Sequence, residues 1–442
     1  MYALKLSVLD WSQLSAQQRA ESLRRPTQRD TAELHAQVSE LLTDVRKRGD
    51  DAVREYTQRY DGVTLANFAV TDGEFAAAET ALSDEQKRAL DWAIANVQRF
   101  HEAQATHPVR IETSPGVVCE RYYRPVDAVG LYVPAGTAPL PSTAVMLAVP
   151  ARIAGCSRRI LCTPPKRDGS ADPAVLSVAK RCGITEVFKI GGAQAIGALA
   201  FGTASVPKVD KIYGPGNPWV TAAKMLVAQD PEGAALDLPA GPSEVLVIAD
   251  ATARAAFVAA DLLAQAEHSA DAQVVFVTTS AQLAAAVNQQ VQVQLASLPR
   301  CATALQALAN SRIFIVPDLE TAFEVSNRYA PEHLIIQVPD ARSWLPRVRN
   351  AGSVFLGPWT PETMGDYCTG TNHVLPTYGF ARAYSGLSLV DFMKRITVQE
   401  LSEDGLRALG PTAITLAELE SLQGHANAVT VRLAELRARG GG

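Results

Sequence analysis

The sequence contains no CxxC, HExxH or HxxxH motif and no GxGxxG fingerprint. The local signatures of thiolate zinc sites, zinc proteases and ordinary dinucleotide-binding turns are therefore missing. No window reaches the roughly 18 uninterrupted apolar residues of a membrane span, and the start MYALKLSVLDW lacks the order of a signal peptide. The expected location is the cytoplasm, with no membrane partner. Cysteine is scarce: Cys119, Cys156, Cys162, Cys182, Cys301 and Cys368 are widely scattered, which suits reduced, mostly buried thiols rather than a disulfide scaffold. Excess positive charge is absent too. A net charge of -5 gives no basic field for counterion release, so nucleic acid is not expected and small neutral or zwitterionic ligands fit better.

What is present is a soluble globular composition, 47% hydrophobic and 20% charged over 442 residues, enough for two or more domains. The first hundred residues read as helical: Leu34, Val38, Leu41, Leu42 and Val45 recur at helical spacing, Gly49 closes that stretch, and a further helix is predicted over residues 84–99. From about residue 125 the rhythm changes to short β-rich runs, each followed by a turn and an Ala-rich helix, which is the pattern of a parallel α/β sheet. Strands are predicted at 159–162, 186–190, 211–213, 244–248, 273–277, 312–316, 333–338 and 353–356, too many for one small sheet. Helices are expected to return after residue 385. The last of them is predicted to start at the capping box Thr415-x-x-Glu418 and to carry a docking stripe of Leu416, Leu419, Leu422, Val429, Leu433 and Leu436. The tail from Gly440 to Gly442 is expected to fray.

Between strands and helices lie the polar segments that suit chemistry. Residues 361–382, PETMGDYCTGTNHVLPTYGFAR, combine an acid, a carboxamide, a histidine and glycines with almost no apolar periodicity, which reads as an active-site loop. Gly214, Gly216 and Asn217 follow a strand and precede a helix, where open α/β sheets bind ligands, and Gly191 to Gln194 form a second such turn. Either is equally a plain βα turn. In GLYVPAG, Gly130 to Gly136, Tyr132 either stacks on a ring or fills the core. Gln265 and His268 are spaced i, i+3 at a helix end, suiting two metal ligands or a carbonyl-capping imidazole. Glu332 and His333 stand together at the entry to a strand, able to divide acid–base work or to be a surface acid beside a structural histidine.

Seven blocks in order then resemble one family, the histidinol dehydrogenases: GLYVPAGTAPLPSTAVM, KIGGAQAIGALAFGT, VDKIYGPGN, LPAGPSEVLVIAD, DLLAQAEHS, RYAPEHL and the loop at 361–382. The resemblance covers nearly the whole chain. It implies a zinc-containing homodimer with a shared active site that oxidises L-histidinol, through L-histidinaldehyde, to L-histidine with two NAD, the last step of histidine biosynthesis. Carried onto matching positions, it implies Gln265, His268, Asp366 and His425 as zinc ligands, His425 coming from the other subunit. Glu332 and His333 become the catalytic pair; Ser243, His373 and Glu420 contact substrate, as do the metal ligands and His333; and Tyr132, Gln194 and Asn217 contact NAD. Two departures are Ala135, where the family typically has Gly, and Cys368, where another small residue is expected. The implied fold is two incomplete Rossmann-like parallel-sheet domains with a helical N-terminal extension (1–30) and a small C-terminal helical dimerisation region (385–442). The first domain is expected to combine 31–129 with 242–384, and the NAD-side domain to span 130–241. Borderline Zn²⁺ accepts the imidazole and amine nitrogens of such a substrate. A neutral His333 would take the hydroxyl proton, predicting activity that rises toward alkaline pH. Competing readings are a thiol-type aldehyde dehydrogenase using Cys156 or Cys368, and a non-catalytic metabolite or metal sensor.

Overall fold

A computed structural model describes residues 5–26, 31–135, 139–239 and 241–440; Gly136 and residues 441–442, considered above, lie outside them. Fourteen strands occur among the described residues: β1 (Ser7–Asp10), β2 (Val109–Ser114), β3 (Val117–Pro125), β4 (Ala128–Tyr132), β5 (Arg158–Thr163), β6 (Glu186–Lys189), β7 (Lys211–Tyr213), β8 (Ala235–Leu236), β9 (Glu244–Ala249), β10 (Gln273–Thr278), β11 (Arg312–Ile315), β12 (His333–Gln337), β13 (Ser353–Leu356) and β14 (Met393–Leu401). The chain divides into two compact units, residues 1–104 with 126–392, and residues 105–125 with 393–442.

The larger unit holds two all-parallel sheets. One runs β1-β11-β10-β9-β12-β13 and the other β6-β5-β4-β7-β8. Numbered within each repeat, both follow the 3-2-1-4-5 order of an incomplete Rossmann fold, the first extended by β1 at its edge. Runs such as EVLVIA in β9 and QVVFVT in β10 are buried along their whole length, as strands covered on both faces must be. Period-two alternation divides them between two cores: Val245 and Val247 point into one, Leu246 and Ile248 into the other.

The helices Thr31–Arg48, Asp50–Asp61 and Asp72–Ala81 pack on helices that accompany the five-stranded sheet, the first two on Gly192–Phe201 and the third on Pro173–Arg181. The stripe Val38, Leu41, Leu42 and Val45 shares a core with Ile196, Leu199 and Ile212. This differs from the expected grouping of residues 31–129 with 242–384, because the Ala- and Gly-rich helix Gly192–Phe201 offers a close-fitting surface: a Cβ on Gly197 would stand 3.1 Å from Leu42. The N-terminal extension is also less purely helical than expected, since its first element pairs in register with β11.

The smaller unit is an antiparallel sheet, β14-β3-β2, with two helices, Glu403–Leu419 and Gln423–Gly440. The expected return to helices is therefore corrected by β14, whose residues are mostly exposed and carry no clean alternation. The expected capping box at Thr415 is corrected as well. Thr415 lies inside the first helix, where its hydroxyl donates to the Pro411 carbonyl, and the chain breaks instead at Ser421 in the left-handed region.

Candidate active site

Several of the sequence-predicted groups sit at the ends of the two switch-point strands of each sheet. On the five-stranded sheet, Tyr132 ends β4, and Gly214 to Asn217 follow its neighbour β7. This is the crevice where strand order reverses. Gly214 (φ +121°) lies so close to β4 that a Cβ there would stand 2.1 Å from the Tyr132 carbonyl. Asp237 accepts the Gly214 N–H at 2.8 Å and pairs with buried Lys224, which donates to the Gly214 carbonyl at 2.7 Å. Asn217 caps the following helix by accepting from Val220 N–H. Tyr132 is buried and accepts the Gly192 N–H at 3.1 Å. Gln194 is 1% exposed, yet both ends of its carboxamide lack a partner.

On the six-stranded sheet the chemistry gathers at the opposite, amino ends of the paired strands β9 and β12. His333 is the first residue of β12 and sits beside Val245 of β9. The Glu244 peptide links both members of the expected pair: its N–H donates to Glu332 Oε2 at 2.9 Å, and its carbonyl accepts from His333 Nδ1 at 3.1 Å. A carbonyl only accepts, so Nδ1 carries the proton and Nε2 of a neutral ring is the basic atom. That Nε2 has no hydrogen-bond partner and lies 3.4 Å from Asp366 Oδ1.

Asp366 belongs to a six-residue helix, Glu362–Tyr367, inside the segment expected to be a loop. One turn earlier on it, Glu362 stands 3.9 Å from His333 Nδ1, with Oε2 unpartnered. Sequence reading missed this group, although its four-residue spacing from Asp366 would place both on one helical face. His373 donates from Nδ1 to the Asp366 carbonyl at 2.7 Å, so its Nε2 receives the Thr143 hydroxyl at 3.2 Å. Gln265 is 0% exposed with both carboxamide atoms unpartnered, and His268 follows just beyond the helix Ala255–Ala266.

A cavity of about 430 Å³ joins these two edges, lined among others by Pro134, Asn217, Ser243, His268, Glu332 and His373. Tyr132, Gln194 and Gln265 are not among its lining residues. Glu420 and His425 belong to the smaller unit, one ending its first helix and the other in its second, and both are exposed.

The electrostatics follow from crowding acids around one imidazole in a water-poor place. Burial would lower the His333 pKa, but Glu362, Glu332 and Asp366 outweigh it and hold the ring well above the usual imidazole value. Burial pushes the Glu332 carboxyl up to about 8 and holds Glu362 well above the carboxylate range. Asp366 goes the other way: burial raises it, but the His333 imidazole 3.4 Å away and the rings of His373 and His268 hold it low. His268 keeps solvent access through the cavity, while the protein around it lowers its pKa.

His333, Glu362 and Asp366 each present a ligand atom within 4.8 Å of the others. Two acids and an imidazole so close together, with Glu362 Oε2 and His333 Nε2 unpartnered, form an N/O donor set suited to a borderline divalent cation. The residues present thus fit a metal ion. A thiol mechanism is poorly served by Cys156, which is buried with its pKa pushed up to about 11.

A ligand cavity joining the switch points of two incomplete Rossmann sheets, with a buried acid–imidazole pair on one wall, is the arrangement of an α/β enzyme. The family model for histidinol dehydrogenase matches residues 23–433. Histidinol dehydrogenase of Xanthomonas campestris is 56% identical over 97% of this chain and 99% of its own, and that of Photobacterium profundum is 52% identical over 97% and 96%. The crystal structure of histidinol dehydrogenase from Elizabethkingia anophelis superposes with a TM-score of 0.94 at 43% identity, covering 99% of this chain and all of that one. The chain belongs to the histidinol dehydrogenase family.

Proposed function

We propose that the protein oxidises L-histidinol, through L-histidinaldehyde, to L-histidine with two NAD, using a zinc ion and acting as a homodimer. The observation that carries this reading is the pair at the mouth of β12: a buried imidazole on the cavity wall with one nitrogen tied to the Glu244 carbonyl and the other unpartnered, flanked by the Glu332 carboxyl. Such an arrangement can move a proton twice.

Gln265, His268 and Asp366 would hold the zinc, with His425 contributed by a second copy of the chain. When bound, zinc and NAD supply an anchor for the substrate's nitrogens and a hydride acceptor in each of two rounds. His333 Nε2 takes the hydroxyl proton as hydride leaves the alcohol carbon. In the second round Glu332 takes a proton from water as it adds to the aldehyde, and His333 takes the next. A neighbouring cation favours the Glu332 carboxylate against the burial that opposes it, so the second round should quicken from neutral to mildly alkaline pH. His373, fixed by the Asp366 carbonyl and the Thr143 hydroxyl, together with Ser243 and Glu420, would orient the substrate. Tyr132, Gln194 and Asn217 would hold NAD, and the unpartnered Gln194 carboxamide leaves hydrogen-bonding capacity for its polar groups.

Support for the homodimer comes from the smaller unit, which exposes Ile111 (56%), Leu416 (57%) and Leu419 (77%) together with Ile396 and Val398. Apolar surface of this kind is what a second subunit covers. The test is absorbance at the NADH band with L-histidinol, before and after chelation. Two NADH per substrate, lost on chelation and restored by zinc, is the expected result; no NADH, or one per substrate, would refute it.

A further inference from the structure

We infer that Arg25, well outside the reacting groups, is the positioning residue that sets the aim of the Glu332–His333 pair; the inference rests on the catalytic reading above. Arg25 and the Glu244 side chain are both buried, with side-chain exposures of 10% and 2%, and they meet as a two-point fork: Nε on Oε2 and, at 2.7 Å, Nη2 on Oε1. The guanidinium also lies 4.0 Å over the Tyr329 ring, whose hydroxyl reaches both Glu244 Oε2 at 3.1 Å and Gln273 Oε1 at 2.8 Å. The backbone of this same Glu244 holds Glu332 by its N–H and His333 by its carbonyl. Fixing the Glu244 side chain therefore fixes the two peptide groups on either side of its Cα that aim the pair.

A second connection reaches the pair through the chain itself. Arg25 Nη2 donates to the carbonyls of Tyr329 at 2.8 Å and Ala330 at 3.3 Å. Ala330 ends the helix Leu319–Tyr329 in the left-handed region, φ +56°, two residues before Glu332. An alanine there carries about 1–2 kcal/mol of strain and persists only where its surroundings impose it. Arg25 and Arg382, which donates to the Arg328 carbonyl, bind the last carbonyls of that helix where its dipole is negative. One side chain from the N-terminal segment thus grips the turn leading into the pair and the strand beside it.

Only a planar fork makes the two-point contact, so lysine does not replace it. Arg25→Lys, Arg25→Gln and Glu244→Gln are compared with the parent as zinc-loaded full-length protein. The expected result is a fall in kcat of roughly tenfold to a hundredfold, the usual consequence of slightly misplaced catalytic groups. KM for histidinol and zinc per subunit should change little, and Arg25→Lys should fall nearly as far as Arg25→Gln. The readout independent of turnover is the ¹⁵N spectrum of His333, assigned by its loss in His333→Gln. Recorded at a pH where the ring is neutral, the parent should show the proton on Nδ1, and the Arg25 variants a mixture of tautomers. Parent-like kcat and an unchanged His333 signal in Arg25→Gln would overturn the inference, as would losses of kcat, zinc content and thermal midpoint that rise together. If the parent makes no NADH from histidinol, the catalytic reading fails, and the tautomer signal still decides the positioning claim.

Discussion

Replacing Asp261 by Asn should stabilise the protein increasingly as pH rises, and the size of the effect follows from burial. Asp261 lies within the helix Ala255–Ala266, 6% exposed, and its Oδ2 accepts from Gln337 Nε2 at 2.7 Å. Burial pushes its carboxyl up to about 7, against the hydrogen bond that favours the charged form. An unfolded aspartate titrates near about 3.9. Below about pH 4 the group is neutral in both states; between there and about 7 the unfolded chain gives up a proton that the folded chain keeps, so rising pH favours unfolding. The gap of about three units is worth about 4 kcal/mol, of which about 1.5 is already lost at pH 5, leaving about 2.5 kcal/mol to be lost by pH 8. Asn keeps the acceptor for Gln337 and cannot ionise. Urea denaturation of metal-stripped parent and Asp261→Asn at pH 5 and pH 8 should therefore show a stability difference that widens by about 2.5 kcal/mol. Asp261→Leu, which also cannot ionise but leaves Gln337 without its acceptor, should be less stable than the Asn variant by about 1–3 kcal/mol at both pH values. A difference between parent and Asn variant that stays constant with pH would refute the burial argument.

Glu332→Gln keeps an oxygen to accept the Glu244 N–H but loses the base, so aldehyde oxidation should fall roughly 10²-fold or more while alcohol oxidation is better preserved. Single-turnover rates with each substrate measure the split, and equal losses would contradict it. His268→Ala should lower zinc per subunit and activity in parallel, as read by metal analysis; full occupancy would remove His268 from the ligand set. Gly214→Ala places a methyl 2.1 Å from the Tyr132 carbonyl at φ +121°, a conformation costing alanine about 1–3 kcal/mol. KM for NAD should rise more than tenfold with little change in KM for histidinol, and unchanged NAD kinetics would show that this turn does not carry the cofactor.

The parallel sheets were legible because buried parallel strands must be apolar along their whole length; EVLVIA, QVVFVT and HLIIQ announce themselves. The smaller unit's strands were not, because β2 and β14 lie largely exposed and their apolar residues cover no core of this chain. Among site residues, Glu332 and His333 could be suspected from adjacency, and Asp366 and His373 from an unpatterned polar segment. Gln265 had only its spacing from His268. Glu244 had no signal at all, since it acts through its peptide N–H and carbonyl, which every residue possesses, and its side chain reads as the start of a strand.

The placement of the site explains why its parts are spread so widely along the sequence. Open parallel sheets normally bind ligands at the carboxyl ends of the strands, where helix N-termini converge, and the turns after β4, β6 and β7 follow that rule. The six-stranded sheet uses the amino ends of β9 and β12 instead, where the helix Ala255–Ala266 ends and delivers Gln265 and His268. A helix C-terminus is the negative end of its dipole, and together with Glu332, Glu362 and Asp366 it makes that edge suited to cations. The cavity therefore has one wall formed by the turn after β7 and another by the carboxylates and imidazoles at the amino ends of β9 and β12, which suit positive charge. Two copies of one topology thus meet by opposite strand ends, and the edges they bring to the cavity differ in the sign of their helix-end dipoles.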